Sequence, residues 1–440
     1  MRSNDKMCSV LKEVINMLLT FKMDITKCKE KQKNIINELK WHVEKVYNSL
    51  LYEVRENKRY IDLRKSLNIL ASGIYKEYRN DNWHSKYLHS HTLQQIALNV
   101  IQNYKSYVSL KEIYEKDSNS LKGKPRLPRY KHGKDTKEIV FTKYAIRINK
   151  NEIRLSLSKE MQNKFQVESL NFLISRKLKR LVDLSSIKMI KIICVKDKIT
   201  MNIIYEREGQ KLTQDNTNIC AIDLGLNNVV ALTNKDNSNT LLVSGKEAKC
   251  KNKYILDKIK YLQQINMKML KDLKKYKNTK QIKRLYEYRN NYMKTYMHKV
   301  SKMVIKYAIE NKCNKIVLGD LKGIKEAMDY NKDFVQLPLQ ILVNMIEYKA
   351  KLRGIEVIKI SECYTSGVSA LDNESITKEN YNPKRRICRG LFITNIGKKI
   401  NADINGSLNI LRKYITNNIP NLEIAMDNGR EQRPIKKRVA

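Results

Sequence analysis

Two short segments in the second half of the chain constrain its fold most: Cys220-Ala-Ile-Asp-Leu-Gly-Leu-Asn-Asn-Val-Val-Ala-Leu-Thr233 and Lys399-Ile-Asn-Ala-Asp-Ile-Asn-Gly-Ser-Leu-Asn-Ile-Leu-Arg412. The first reads as an apolar strand with one carboxylate, Asp223, followed by Gly225 and a turn into a second strand. The second sets Asp403 at the start of a helix whose Ile404, Leu408 and Leu411 recur at helical spacing. Two hard cations about 3.5–4 Å apart need carboxylate oxygens converging from separate elements, and an acid at a strand end with another on a distant helix supplies that. Either aspartate alone would read better as a helix cap or a solvated turn. Together, in this order and in a strongly basic chain, they point to a carboxylate-held metal site.

The 440 residues suffice for two or three domains, each with its own core. Lys and Arg number 87 against 45 Asp and Glu, a formal charge of +42 spread over most of the length. So large an excess repels itself unless a polyanion binds, which makes nucleic acid the expected partner. No run of about eighteen apolar residues is present to span a bilayer, and Met17-Leu-Leu-Thr-Phe21 reads as part of an amphipathic helix, without a cleavage site behind it. The 25 tyrosines would suit base stacking, but with abundant Lys, Asn and Ile they equally mark an A+T-rich coding sequence. Eight cysteines without a C-x-x-C pair give neither a disulfide framework nor an obvious zinc site, which fits a reducing cytoplasm.

Along the chain, 1–118 reads as a helical nucleic-acid-recognition lobe, with helices over Val10–Leu19, Ile35–Val54, Ser66–Tyr78 and Leu88–Ile101. His84, His89 and His91 lie close together, and capping or surface roles outweigh a metal site there. Residues 119–206 read as a small β-barrel or sandwich entered through an extended basic segment whose Lys122, Lys124, Arg126, Arg129 and Lys131 would track phosphates, or serve as a flexible linker. A polar linker, 207–217, precedes an α/β domain over 218–416. That domain contains a Lys-rich helical hairpin at 248–312 with a break near Tyr276–Thr279, a strand at Lys315–Leu318, a helix at Leu337–Leu352, and a strand at Ile355–Ile360. A basic, frayed tail over 417–440 closes the chain. The class is α+β and multidomain.

Six motifs then occur in a recognisable order: Ala221-Ile-Asp-Leu-Gly-Leu-Asn-Asn228, Ile316-Val-Leu-Gly-Asp-Leu-Lys-Gly323, Met345-Ile-Glu-Tyr-Lys-Ala350, Tyr364-Thr-Ser366, Arg389-Gly-Leu-Phe392 and Asn401-Ala-Asp-Ile-Asn-Gly406. On these the chain resembles the TnpB (OrfB) proteins of bacterial insertion sequences, compact relatives of type V CRISPR effectors. The resemblance implies an RNase H-like (RuvC) domain that cuts DNA with two Mg²⁺ ions, a guide RNA from the protein's own locus that pairs with double-stranded target DNA, and a protein that reads a short flanking motif. It also implies a bacterial cytoplasmic, nucleoid-associated setting, with no membrane partner; the oligomeric state stays open.

Two departures from the family pattern matter. Most members carry a glutamate at the end of the Ile-Val strand, where this chain has Gly319. Asp320 is adjacent, but side chains alternate faces along a strand, so it should point away. A subset of the family places the acid about forty residues later, and Glu362 before Tyr364-Thr-Ser366 fits that subset; Asp320 or a missing third acid are the alternatives. The expected catalytic, metal-holding set is therefore Asp223, Glu362 and Asp403 with no histidine general base, and a guided binder that has lost catalysis is the alternative function. The second departure is zinc: the family's paired cysteines are absent from the 364–398 insert, leaving Cys363 and Cys388, so no zinc is expected and packing should hold the insert. The cluster Lys384, Arg385, Arg386 and Arg389 is expected to contact nucleic acid, or to form a solvated basic face.

Overall fold

The computed structural model describes residues 16–56, 82–133, 137–195, 198–210, 218–236, 239–270, 276–320, 337–388, 390–419, 422–424, 429 and 433–439. They fall into two compact units, Asn16–Arg207 and Glu208–Ala440. The expected helix Ser66–Tyr78 and the cation Arg389 lie outside the described residues.

The first unit opens on a strand, β1 (Asn16–Asp24), where the sequence predicts the end of a helix. Its exposure alternates residue by residue, half-burying Met17, Leu19, Phe21 and Met23; the alternation is period 2, and pairing in a sheet overrides the helix-forming tendency of Met, Leu and Lys. Helix α1 (Glu30–Arg55) buries a continuous stripe that includes Ile35, Leu39, Val43, Val46, Leu50 and Val54. Next come α2 (Trp83–Lys86) and α3 (Ser90–Lys116). His89 caps α3 by accepting the His91 amide, so capping is the role this histidine takes.

The β elements follow as β2 (Lys137–Thr142), β3 (Ile146–Ile148), β4 (Glu152–Ser156), α4 (Lys159–Phe165), β5 (Ser169–Leu173), α5 (Arg176–Leu181), β6 (Ile187–Val195) and β7 (Lys198–Glu208). Among the described residues they form no closed barrel: β1, β7, β6 and β2 make one sheet, and β3, β4 and β5 make another. The 3₁₀ turn Lys143–Ala145 divides β2 from β3 and sends the hairpin into the second sheet. One hydrophobic core joins α1, α3 and both sheets.

The second unit is built on a six-stranded sheet whose neighbouring strands are, in order, Glu356–Ile360, Lys315–Gly319, Ile219–Asp223, Asn228–Asn234, Leu241–Ser244 and Ile435–Lys437. Strands β8 (Ile219–Asp223), β9 (Asn228–Asn234) and β10 (Leu241–Ser244) run as an antiparallel meander. The hairpin of α6 (Lys246–Lys268) and α7 (Lys280–Glu310) follows, with Thr279 capping α7 where the sequence placed the break. Then β11 (Lys315–Gly319), α8 (Leu339–Leu352) and β12 (Glu356–Ile360) add two strands parallel to β8. The short hairpin β13 (Leu391–Ile393) and β14 (Lys399–Asn401) leads into α9 (Ala402–Asn418). The tail is not wholly frayed: Ile435–Lys437 forms β15, parallel to β10, and Val439 is buried in the core behind it. A three-residue segment is too short to show periodicity, and the structure holds it by backbone pairing with β10 and by Val439 in the core. No helix among the described residues is long and apolar enough to cross a membrane.

Candidate active site

Asp223 is the last residue of β8, carried to the sheet's end by the buried run Ile219–Ile222. Asp403 lies in the first turn of α9, but it is not the cap. Asn401 caps the helix by accepting the amides of Asp403 and Ile404, which leaves the Asp403 carboxylate free for other contacts. Asn228 Nδ2 donates to Asp403 Oδ2 at 2.8 Å, so the turn after β8 aims the acid on the helix. Helix and sheet are tied beneath the site, where Ser407 Oγ donates to the Ala221 carbonyl and lies 2.9 Å from Thr233 Oγ1. Gly406 lets them approach: a Cβ there would stand 2.5 Å from Asp223 Oδ2.

The third acid is where the sequence departs from its family, and the geometry at Gly319 is specific. A Cβ built on Gly319 would fall inside the Glu362 side chain, against its Cγ, Cδ and Oε1. Glu362 therefore fills the volume that a side chain at 319 would occupy. It leaves from the end of β12, whose Ile360 pairs with Gly319. Its backbone carbonyl accepts the Thr365 hydroxyl at 2.8 Å, and Asn409 on α9 in turn holds the Thr365 carbonyl at 2.9 Å. The Tyr364-Thr-Ser366 motif is thus the bracket that positions the glutamate. Asp320 is absent from the cleft lining, although its charge helps raise the Glu362 pKa.

Electrostatics link the acids. Burial, with Asp403 alongside, pushes the Asp223 pKa up to about 7, while Arg386 pulls it back. Burial, then Asp223 and Asp320, raise Glu362 to about 8. Glu362 Oε1 is buried without a hydrogen-bond partner. A buried carboxylate oxygen left unpaired beside another carboxylate is the environment a hard cation relieves. Among the described residues no three His, Cys, Asp or Glu side chains already converge on a single point, and Arg386 sits on Asp403 Oδ1 at 2.9 Å. All three acids and Arg386 line one cleft of about 1310 Å³, larger than the roughly 300–1,000 Å³ of a small-molecule pocket.

The predicted cationic contacts divide. Lys122, Lys124, Arg126 and Arg129 are exposed in the first unit, on a segment pinned to α1 by Arg55 and Asn48. Lys131 instead packs over the Tyr47 ring at 4.0 Å. In the second unit Lys384 is exposed, Arg385 binds both oxygens of Glu374 at 2.7 Å, and Arg386 binds Asp403. Arg386, expected from sequence as a nucleic-acid contact, lies instead on an acid of the cleft, and Lys436, Lys437 and Arg438, which also line it, were not read as site residues from sequence. No local pattern marks them, because long-range folding brings them there.

The 364–398 insert is held by more than packing. Phe392 and Ile400 do pack with Ala370 against Ile404 and Leu408 of α9. Beside them Glu374 also takes hydrogen bonds from the Ser369 amide and Asn395. Arg412 donates to Asn373 and to the Glu374 carbonyl, both at 2.8 Å, from a nearly buried position.

Residues 202–325 match the family OrfB_IS605, described as a probable transposase, and residues 340–410 match the Cas12f1-like TNB domain. Asp223 falls in the first match and Glu362 and Asp403 in the second. A CRISPR-associated endodeoxyribonuclease Cas12f1 from Sulfoacidibacillus thermotolerans is 27% identical over 243 residues, 52% of this chain and 51% of that protein. The chain thus matches about half the length of that curated relative. A cryo-EM structure of a Cas12f1–sgRNA–target DNA complex aligns over 87% of this chain and 83% of that one, at TM-score 0.57 and 16% identity, which establishes a shared fold. These matches bear out the resemblance read from the motifs: the chain is similar to the OrfB (TnpB) proteins of insertion sequences and to type V effectors.

Proposed function

We propose that the chain is an RNA-guided DNA endonuclease of the TnpB type, and that the carboxylate cleft of its second unit, read as an RNase H-like (RuvC) domain, is the cutting site. The observation that carries this reading is the substitution of one acid for another in space, with Glu362 filling the volume above Gly319. A chain that had lost catalysis would have no reason to keep a buried, unpartnered carboxylate there. The matched relative is named as an endodeoxyribonuclease and the aligned structure contains guide RNA and target DNA; with the +42 charge, these support RNA and DNA as partners.

Asp223, Glu362 and Asp403 would hold divalent cations, Mg²⁺ being the expected one. Their fit rests on the orphaned Glu362 oxygen and on two carboxylates whose charged forms are disfavoured without a cation. When bound, such ions supply an activated water and stabilise the leaving 3′ oxygen. The protein's own part is orientation: Asn228 aims Asp403, Thr365 fixes the glutamate's backbone, and Arg386 adds a cation at the acids.

The test is plasmid cleavage in Mg²⁺ by protein co-purified with RNA from its own locus. Asp223→Ala or Asp403→Ala should abolish cutting while leaving RNA and DNA binding nearly intact. Retained cutting in either variant would remove the site assignment, and guided binding without cutting by the wild type would make the chain a repressor-like binder.

A further inference from the structure

The cleft has a second chemical character that the three acids do not account for. Lys436, Lys437 and Arg438 line it, with Lys246 at the start of α6 on the same wall. All four side chains are exposed, and none makes an ion pair among the described residues. The segment that presents them is not a loose tail. Its backbone is paired with β10 in register, Leu241 opposite Ile435, Leu242 opposite Lys436 and Val243 opposite Lys437. The Ile435 amide donates to the Thr240 carbonyl at 3.0 Å, and Val439, 6% exposed, anchors the end in the hydrophobic core.

Three consecutive cations at the edge of a sheet serve to discourage edge-to-edge pairing wherever they lie. That role does not require them to line the cleft that also holds the acids, and it does not require a buried valine to hold them in place. Fixed cations lining the same open cleft as the acids match a ligand that is anionic along its length and must pass the acids. A phosphodiester backbone has that form, and an extended cationic groove is how single strands are tracked without regard to sequence.

We propose that Lys436, Lys437 and Arg438, with Lys246, form a phosphate rail that seats the single DNA strand to be cut against the carboxylates. The inference rests on the nuclease reading for its substrate, and its test is independent of cutting. Cys250 is an exposed free cysteine that lines the same cleft and so reports its occupancy, while the half-buried Cys28 of the first unit serves as an internal control.

Full-length protein in metal-free buffer is treated with a maleimide, with and without saturating oligo(dT) of about fifteen nucleotides, and alkylation is read peptide by peptide. The oligonucleotide should slow modification of Cys250 several-fold in the wild type. The triple variant Lys436→Glu, Lys437→Glu, Arg438→Glu should lose that protection while Cys28 is unchanged. The pair Lys436→Arg, Lys437→Arg should keep it. A triple glutamine variant makes the same test with a smaller change should the glutamates disturb β15. Equal protection in wild type and the charge-removed variants, or no protection in the wild type, overturns the rail. Protection without any cleavage in Mg²⁺ would instead sink the nuclease reading and leave the rail standing as a binding site.

Discussion

At the scale of single residues, the exchange between positions 319 and 362 gives the sharpest prediction. Gly319→Ala should reduce cleavage at least about 100-fold, because its methyl group displaces the Glu362 carboxyl group by more than about an ångström from the position its bracket defines. Gly319→Glu alone should be no better, since two side chains then compete for one volume. Gly319→Glu combined with Glu362→Gly should recover most of the activity by returning an acid to the same space from the neighbouring strand. Plasmid cleavage rates for the four proteins check this, and a double variant as inactive as Gly319→Ala would mean that the acid must come from β12. The loop carrying Glu362 is itself constrained: Tyr364 has φ 68°, a left-handed conformation that costs a bulky side chain about 1–3 kcal/mol. The Asn409 and Thr365 hydrogen bonds offset that strain.

At the scale of elements, part of the architecture was legible and part was not, for separable physical reasons. The strands bearing Asp223 and the helix bearing Asp403 were readable because their burial imposes a strict period on apolar residues. Glu362 in place of a side chain at Gly319 was one of the alternatives the family resemblance left open, and their shared volume is set by packing that no sequence pattern displays. Strand β1 was misread because its exposed face carries Leu18, which hides the alternation. Barrel and sandwich both stayed open as expectations because hairpins were visible while the turn that separates the two sheets was not. The 364–398 insert shows the same limit, since Glu374 finds Arg385 eleven residues on and Asn395 twenty-one on. Glu374→Ala should destabilise the second unit by about 2–3 kcal/mol, because it strands a mostly buried guanidinium. A zinc chelator should leave that unit's melting unchanged; a chelator-induced loss comparable to the mutation would contradict a metal-free insert.

Helix α1 carries a pH-dependent element of its own. His42 is fully buried, stacked on Tyr87 at 4.4 Å, with its Nδ1 3.1 Å from His84 Nδ1 and its Nε2 3.4 Å from Glu38, which also binds Lys164. Burial is the main cause that lowers its pKa to about 4, with Glu38 opposing and His84 and Lys164 adding to the shift. The unfolded chain takes up this proton near pH 6.5, while the folded protein resists it down to about 4. The contribution is therefore fully present above about pH 6.5 and is lost as the pH falls towards 4, up to about 3 kcal/mol. Urea titrations at pH 7 and pH 4.5 should give a larger drop for the wild type than for His42→Phe. Equal drops would mean that this ring does not titrate against folding.

At the scale of the whole molecule, the charge of +42 sets the terms on which any of this works. Like charges on a compact fold repel, and the repulsion is relieved by salt over a screening length of about 8 Å at physiological ionic strength. Protein stripped of nucleic acid should therefore melt higher in 500 mM than in 50 mM KCl. A bound polyanion does more than screen, since it adds its binding free energy to the folded state alone. RNA should then raise the melting temperature well beyond the effect of salt at matched ionic strength, and that excess should shrink as salt is raised and counterion release weakens binding. The affinity itself should fall with salt on a log–log slope steeper than about −5, as many phosphate contacts require. Thermal melts across a salt series, with and without RNA, measure both quantities together. If salt alone lowered the melting temperature of the stripped protein, the excess charge would already be compensated within the fold, and nucleic acid would be bound by a few local contacts instead of by the charge of the whole chain.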